Sequence, residues 1–227
     1  SIRDRFTELP KDYSTWGLVL LFFGLITYIV GKTGTEFFLQ RTSFLLVLYG
    51  VILFMLGKRF FFLLFIPVAY LIFMIPLPAI IWSKIAFPMQ LFGSYLTENV
   101  VGIIGIPIYR EGNILHLAET TLEVVAACSG LRSLMTMFAL AGALVWFSGL
   151  TRVYKIILFF SAAPIAIFAN IVRLTATAIL ASIYGSKVAH GFLHDFSGMV
   201  IFFIGFSLLL TVNTSLGKIQ SKKHSSG

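Results

Sequence analysis

Six apolar runs divide this chain, and their lengths decide what it can fold into: roughly Trp16–Val30, Ser43–Leu56, Phe60–Leu77, Cys128–Phe147, Val153–Ile183 and Phe192–Val212. About 20 apolar residues of helix cross the roughly 30 Å hydrocarbon core of a bilayer. In lipid, the backbone polar groups must be satisfied within the structure itself, which a helix does. The runs therefore predict an all-α, polytopic transmembrane helix bundle of about six spans. The second run is short and extends back over Phe37–Arg41. The third carries Pro67 and Pro76, which predict a kink or an early end. Only 11% of the 227 residues are charged, against about 25% in soluble domains, so lipid has to be the solvent.

The net charge of +8 would suggest nucleic acid in a soluble protein. Here the cations fall in short clusters between the runs: Lys58-Arg59, Arg152 with Lys155, and Lys218 with Lys222-Lys223. That placement is the positive-inside pattern of a membrane protein, and it argues against a nucleic-acid partner. With six spans all three clusters lie on one side. If that side is cytoplasmic, both termini are cytoplasmic and 78–127 lies outside. The chain then divides into three N-terminal spans (1–77), an extracytoplasmic cap (78–127), a three-helix region (128–215) and a basic cytoplasmic tail (216–227).

Within the cap, Ile80–Val101 is apolar but carries Lys84, Gln90 and Glu98 and is interrupted by Pro88. It reads as an interfacial helix. Glu111-Gly112-Asn113 between apolar residues reads as the turn of a β-hairpin. Thr121-Leu122-Glu123-Val124-Val125 alternates in the same way.

Three polar constellations stand out. Cys128, the one cysteine, opens the fourth run, where a helix N-terminus would favour a thiolate. Arg132 would lie one turn on, Ser129 is a weaker nucleophile, and Glu123 could hold Arg132 or Arg173. The competing reading is a packing cysteine beside an interfacial arginine. Asn170 and Arg173 share a helix face late in the fifth run. An intramembrane arginine is costly and marks function by default, although one near the boundary can also snorkel to the interface. His194, with Asp195 beside it and Gly198 one turn on, opens the sixth run; His194 can move protons near neutrality or simply sit at the interface. His116 is a less placed spare. His190 and His194 lack a third ligand and an HExxH frame, so neither a metal nor another cofactor is expected.

The topology sends Cys128, Arg173 and His194, from three different spans, to one depth on one side. A thiolate, a proton carrier and a cation for an oxyanion are the parts of acyl transfer through a thioester. A proton or ion carrier also uses intramembrane charge, but would place it near the midplane.

Ala127-Cys128-Ser129-Gly130-Leu131-Arg132, Asn170-Ile171-Val172-Arg173 and His194-Asp195-Phe196-Ser197-Gly198 resemble, in order and spacing, the three signatures of the exosortase/archaeosortase family. The resemblance runs from about Ile106 to Val212 and includes Arg110-Glu111-Gly112-Asn113, although the chain has fewer spans than many members. It implies a membrane-embedded cysteine transpeptidase with Cys128 as nucleophile, His194 as acid and base, and Arg173 as the third catalytic residue. Its partners would be exported proteins with a C-terminal sorting signal (a short motif, a transmembrane helix and a basic tail), together with a lipid or glycan acceptor. The rival readings are a purely hydrolytic membrane cysteine protease and a non-enzymatic transporter or assembly scaffold.

Overall fold

The computed structural model describes residues 14–118, 120–125, 130–185 and 192–225, with the backbone alone at 192–197 and 224–225. It divides into two compact units, Ser1–Ile81 and Trp82–Gly227.

The first unit is a helical hairpin with a third helix. Helix α1 spans Trp16–Thr33, α2 Phe37–Met55 and α3 Gly57–Tyr70, the last running into a 3-10 turn at Leu71–Met74. Glycines seven residues apart (Gly17, Gly24 and Gly31) are the buried residues of α1. This stripe lets α2 approach at backbone distance: a Cβ at Gly31 would lie 2.9 Å from the Gln40 nitrogen, and one at Gly50 2.7 Å from the Leu21 nitrogen. Small residues serve this purpose where lipid gives helices no hydrophobic reason to associate. Pro67 lies inside α3 without ending it. The element stops at Met74, just ahead of Pro76, as a residue before proline is pushed out of the helical region. Tyr49 of α2 donates a 2.7 Å hydrogen bond to the Phe65 carbonyl and stacks on its ring, which joins α2 to α3.

The second unit is built on α4, Ala79–Ile103, whose first residues close the unit before it. The sequence suggested a helix interrupted at Pro88. Instead α4 is one 25-residue element that contains Pro88. Pro88 is exposed, and the buried stripe runs along another face: Ala86, Gln90, Gly93, Ser94, Thr97 and Val101. The missing N–H therefore leaves the packed side of the helix intact.

After α4 come β1 (Ile108–Glu111), β2 (Ile114–Leu117) and β3 (Thr121–Glu123), an antiparallel sheet in the order β1-β2-β3. The expected hairpin is β1–β2, with Glu111 opposite Ile114 and a two-residue turn at Gly112-Asn113. Gly112, at φ +62°, takes the first central position, where a tight hairpin turn demands glycine. The alternating Thr121–Glu123 stretch joins as the third strand, pairing His116 with Thr121.

Helices α5 (Leu131–Phe147), α6 (Arg152–Tyr184) and α7 (Phe192–Ser225) complete the unit. Their shared core is Met137, Ala141, Leu158, Ala162, Ala166 and Leu209. The 33 residues of α6 make a rod about 50 Å long at about 1.5 Å per residue, more than a bilayer core requires. Its far end is covered by the sheet: Leu174, Ala178 and Ala181 pack with Leu115, Leu117, Leu122, Val124 and Val101. At the near end, Gln220 of α7 accepts a hydrogen bond from the Thr151 nitrogen (2.8 Å) and donates one to the Gly149 carbonyl (3.3 Å). Arg152, Lys155, Lys218, Lys222 and Lys223 thus gather at one end of the three-helix bundle.

Among the described residues, five helices are long and apolar enough to cross a membrane: Trp16–Thr33, Phe37–Met55, Gly57–Met74, Arg152–Tyr184 and Gly198–Lys223. The remaining expected span is the apolar α5, at 17 residues. Each of the six apolar runs therefore has its helix. One boundary moves. The fourth run was read as helical from Cys128, whereas α5 starts at Leu131 because Gly130 sits in the left-handed region at φ +81°.

Candidate functional site

Helix α6 carries the buried polar residues of the site. Asn170 and Arg173, one turn apart, are both buried, at 4% and 9% exposure. They lie on the packed face that also carries Ala166, Ala169 and Leu174. Arg173 is 21 residues from the basic start of α6, about 32 Å along the rod. Its guanidinium is enclosed by protein rather than stretched to an interface. An enclosed arginine is expensive to desolvate and demands specific surroundings.

Those surroundings come from the neighbouring helices. Gly130, the residue before α5, lies directly against Asn170: a Cβ there would be 2.7 Å from the Asn170 Cγ and 2.8 Å from its Nδ2. Its left-handed conformation and the absence of a side chain are thus both required. The Gly130 carbonyl accepts the first helical bond, from the Leu134 nitrogen, at 2.8 Å. A Cβ at Gly198 of α7 would lie 4.0 Å from Arg173 Nη1. Gly130 follows Cys128 by two residues, and Gly198 follows His194 by one helical turn. The Asn170–Arg173 turn is therefore packed against the glycine of one of the other motifs and lies near that of the second.

Cys128 and Ser129 themselves lie outside the described residues, as does His190; His194 and Asp195 fall in the first turn of α7, where the backbone alone is described. The spacing expected between Cys128 and Arg132 therefore involves a residue outside the described ones. Arg132 is exposed on the first turn of α5. Glu123, at the end of β3, is also exposed. His116 stays on the sheet, 3.6 Å from Glu111 and stacked on Tyr109.

The sheet holds the strand that leads toward Cys128. Asn113 in the hairpin turn grips Val124 twice: its carbonyl accepts from the Val124 nitrogen at 2.9 Å, and its Nδ2 donates to the Val124 carbonyl at 3.3 Å. Arg110 ties β1 to α4. Its Nε donates to Glu98 Oε2 at 3.0 Å, its backbone nitrogen donates to Glu98 Oε1 at 3.1 Å, and its guanidinium lies over the Tyr95 ring.

Of the polar side of α4, only Gln90 was marked out by the sequence. Gln90, Ser94 and Thr97 are buried, with the Ser94 hydroxyl donating back to the Gln90 carbonyl. Their spacing of four and three residues was visible within an apolar helix and is the mark of one packed face. Between them, Gly93 faces α6: a Cβ there would lie 2.9 Å from Leu174 Cδ1. Beside this contact an apolar groove of about 190 Å³ runs between α4 and α6, lined by Pro88, Met89, Phe92, Gly93, Ile167, Asn170 and Ile171.

No curated protein and no solved structure matches the chain. A family model described as transmembrane exosortase matches residues 2–211, which takes in the hydrophobic hairpin, the sheet and all three motif segments. By that match, this multi-pass membrane protein belongs to the transmembrane exosortase family.

Proposed function

We propose that the chain is a membrane cysteine transpeptidase that cleaves the C-terminal sorting signal of exported proteins and passes the new carboxyl end to an acceptor. The observation that carries this reading is the packing of Asn170 against Gly130, with Gly198 near the Arg173 guanidinium. It supports a shared pocket for the side chains of Cys128, Arg173 and His194. In the mechanism, the His194 imidazole takes the Cys128 thiol proton, and the thiolate attacks the scissile carbonyl carbon. Arg173 steadies the oxyanion, a role in which a single preorganised donor is worth about 10²–10³ in rate. The C–N bond breaks, the leaving amine takes its proton from His194, and a thioester remains on Cys128. An amine- or hydroxyl-bearing lipid or glycan then attacks the thioester, gives its proton to His194 and releases the thiolate.

The side of the membrane follows from charge. Arg152, Lys155, Lys218, Lys222 and Lys223 gather at the bundle end about 32 Å from Arg173. Basic residues favour the cytoplasm, so the site is extracytoplasmic and both termini are cytoplasmic. The substrate's transmembrane helix would lie alongside the bundle, with its scissile peptide over Cys128.

The test is co-expression of a reporter carrying a short motif, a transmembrane helix and a basic tail with the wild-type chain and with Cys128→Ala. Processing by the wild type that is lost in the variant is the expected result. Equal processing by both would remove Cys128 as nucleophile. Mass spectrometry of the released carboxyl end separates transfer, which adds mass, from simple hydrolysis.

A further inference from the structure

The basic end of the three-helix bundle takes no part in the chemistry above. Arg152, Lys155, Lys218, Lys222 and Lys223 each lie within four residues of one end of the Gln220–Thr151 hydrogen bond, which is about 6 Å of helix rise. Gln220 also donates to the Gly149 carbonyl, so the segment after α5 and the last turns of α7 are held as one piece. Arg152, Lys218 and Lys223 are exposed, and Lys155 is half-buried. The side-chain carboxylates of the same unit are remote. Beyond Glu123 the chain has one acidic residue, Asp195. It stands in the first turn of α7, 23 residues from Lys218, which is about 35 Å along the helix. Glu98, Glu111 and Glu123 sit on α4 and the sheet, toward the other end of α6, and Glu119 falls between β2 and β3 in the sequence. The counter-charge for Arg152, Lys155, Lys218 and Lys223 has to come from outside this unit.

The same end is marked as a membrane boundary. Trp146 and Phe147, in the last turn of α5, are exposed, and Tyr154 follows in the first turn of α6. Trp and Tyr concentrate where hydrocarbon meets headgroups, so the cations stand at the depth of lipid phosphate. We propose that this end of the bundle is a binding site for the headgroup of an anionic phospholipid. Arg152, Lys155, Lys218 and Lys223 hold its phosphate, and Gln220 keeps the cations of α6 and α7 together. Basic pockets between transmembrane helices are recurrent headgroup sites. Exposed Trp146 and Phe147 beside the cations favour a lipid, whose acyl chains cover them, over a soluble anion. The site lies about 32 Å from Arg173 along α6 and does not depend on the transpeptidase reading.

The test uses the purified full chain in detergent micelles, titrated with dioleoyl phosphatidylglycerol or dioleoyl phosphatidylcholine. Native mass spectrometry reads the lipids bound per chain. Wild type should prefer the anionic lipid by at least about tenfold, since each cation near an anionic headgroup is worth about fivefold in affinity. Arg152→Gln with Lys223→Gln should lower that preference at least about fivefold. Lys32→Gln with Arg41→Gln removes the same charge around the α1–α2 turn and should leave it within about twofold. Gln220→Leu keeps the charge but releases the segment after α5 from α7. It should lower the preference about threefold or more, because a preorganised cluster binds better than a loose one. A wild type without preference would overturn the site. Equal losses from the two charge-removing pairs, or an unchanged preference in Gln220→Leu, would also overturn it, because diffuse charge would then explain the binding. If the variants do not fold, phosphatidylglycerol with a photoreactive headgroup decides the matter on the wild type. Adducts concentrated in 148–155 or 216–223 support the site. Adducts elsewhere, or spread equally over every basic cluster, overturn it.

Discussion

Gly130→Ala is the substitution whose cost can be worked most fully from the structure. Two independent penalties meet at this position. The left-handed backbone at φ +81° costs a residue with a Cβ about 1–2 kcal/mol. The new methyl would also sit 2.7, 2.8 and 2.9 Å from the Asn170 Cγ, Nδ2 and Cβ, and overpacking of this kind costs about 1–3 kcal/mol. Together they predict a loss of about 2–5 kcal/mol. Unfolding of purified protein in mixed micelles under increasing sodium dodecyl sulfate, followed by circular dichroism, measures it. Combining Gly130→Ala with Asn170→Ala removes the two closest contacts but leaves the backbone strain. The double variant should therefore recover part of the loss, with a coupling energy inside the roughly 0.5–3 kcal/mol range seen for touching residues. The same substitution displaces the segment leading back to Cys128, so processing should fall even in the fraction that stays folded. A Gly130→Ala protein within about 0.5 kcal/mol of wild type, the range of neutral surface changes, or a cycle with no coupling, would refute the packing of Asn170 against this turn.

Gly50→Leu should separate α1 from α2, since its Cβ would already lie 2.7 Å from the Leu21 nitrogen; limited proteolysis at the turn after Thr33 should accelerate while the wild type stays intact. Arg110→Ala should cost about 1–2 kcal/mol in the same unfolding assay, because its bonds to Glu98 are charge-assisted and only partly exposed. It should be less than additive with Glu98→Gln; strict additivity would mean that the pair contributes nothing. Arg173→Lys keeps the charge but loses the planar fork. If Arg173 steadies the oxyanion, processing should drop about 10²–10³-fold with membrane insertion unchanged; near-normal processing would assign Arg173 to packing alone.

The helices were legible because lipid imposes a length on each apolar run, and six runs became six helices with the hairpin turn at Gly112-Asn113 between them. What escaped the sequence depended on backbone geometry and partners. The start of α5 moved from Cys128 to Leu131 because Gly130 adopts a left-handed conformation against Asn170, a contact forty residues away. Pro88 looked like an interruption, yet it falls on an exposed face where the missing donor is harmless. The glycine period in α1 was readable as a packing stripe and went unread. In the site, Asn170 and Arg173 drew attention as polar residues in an apolar run, and their burial agrees with that. Ser94 and Thr97 did not, and Gln90 stood out only as a polar residue in an apolar run, because only the packed face of α4 makes the three a group.

The proposed chemistry requires the Cys128 thiol and the His194 imidazole to come within reach of one another. Cys128 is the only cysteine of the chain, so one substitution creates a pair. In membranes carrying His194→Cys, an oxidant or a short bifunctional thiol reagent should join the two positions within the chain, giving a cross-linked tryptic peptide by mass spectrometry. Phe147→Cys, at the far end of α5, should give no such link. Cross-linking of His194→Cys no better than that control would contradict the account, because the two groups would then be too far apart to share a proton.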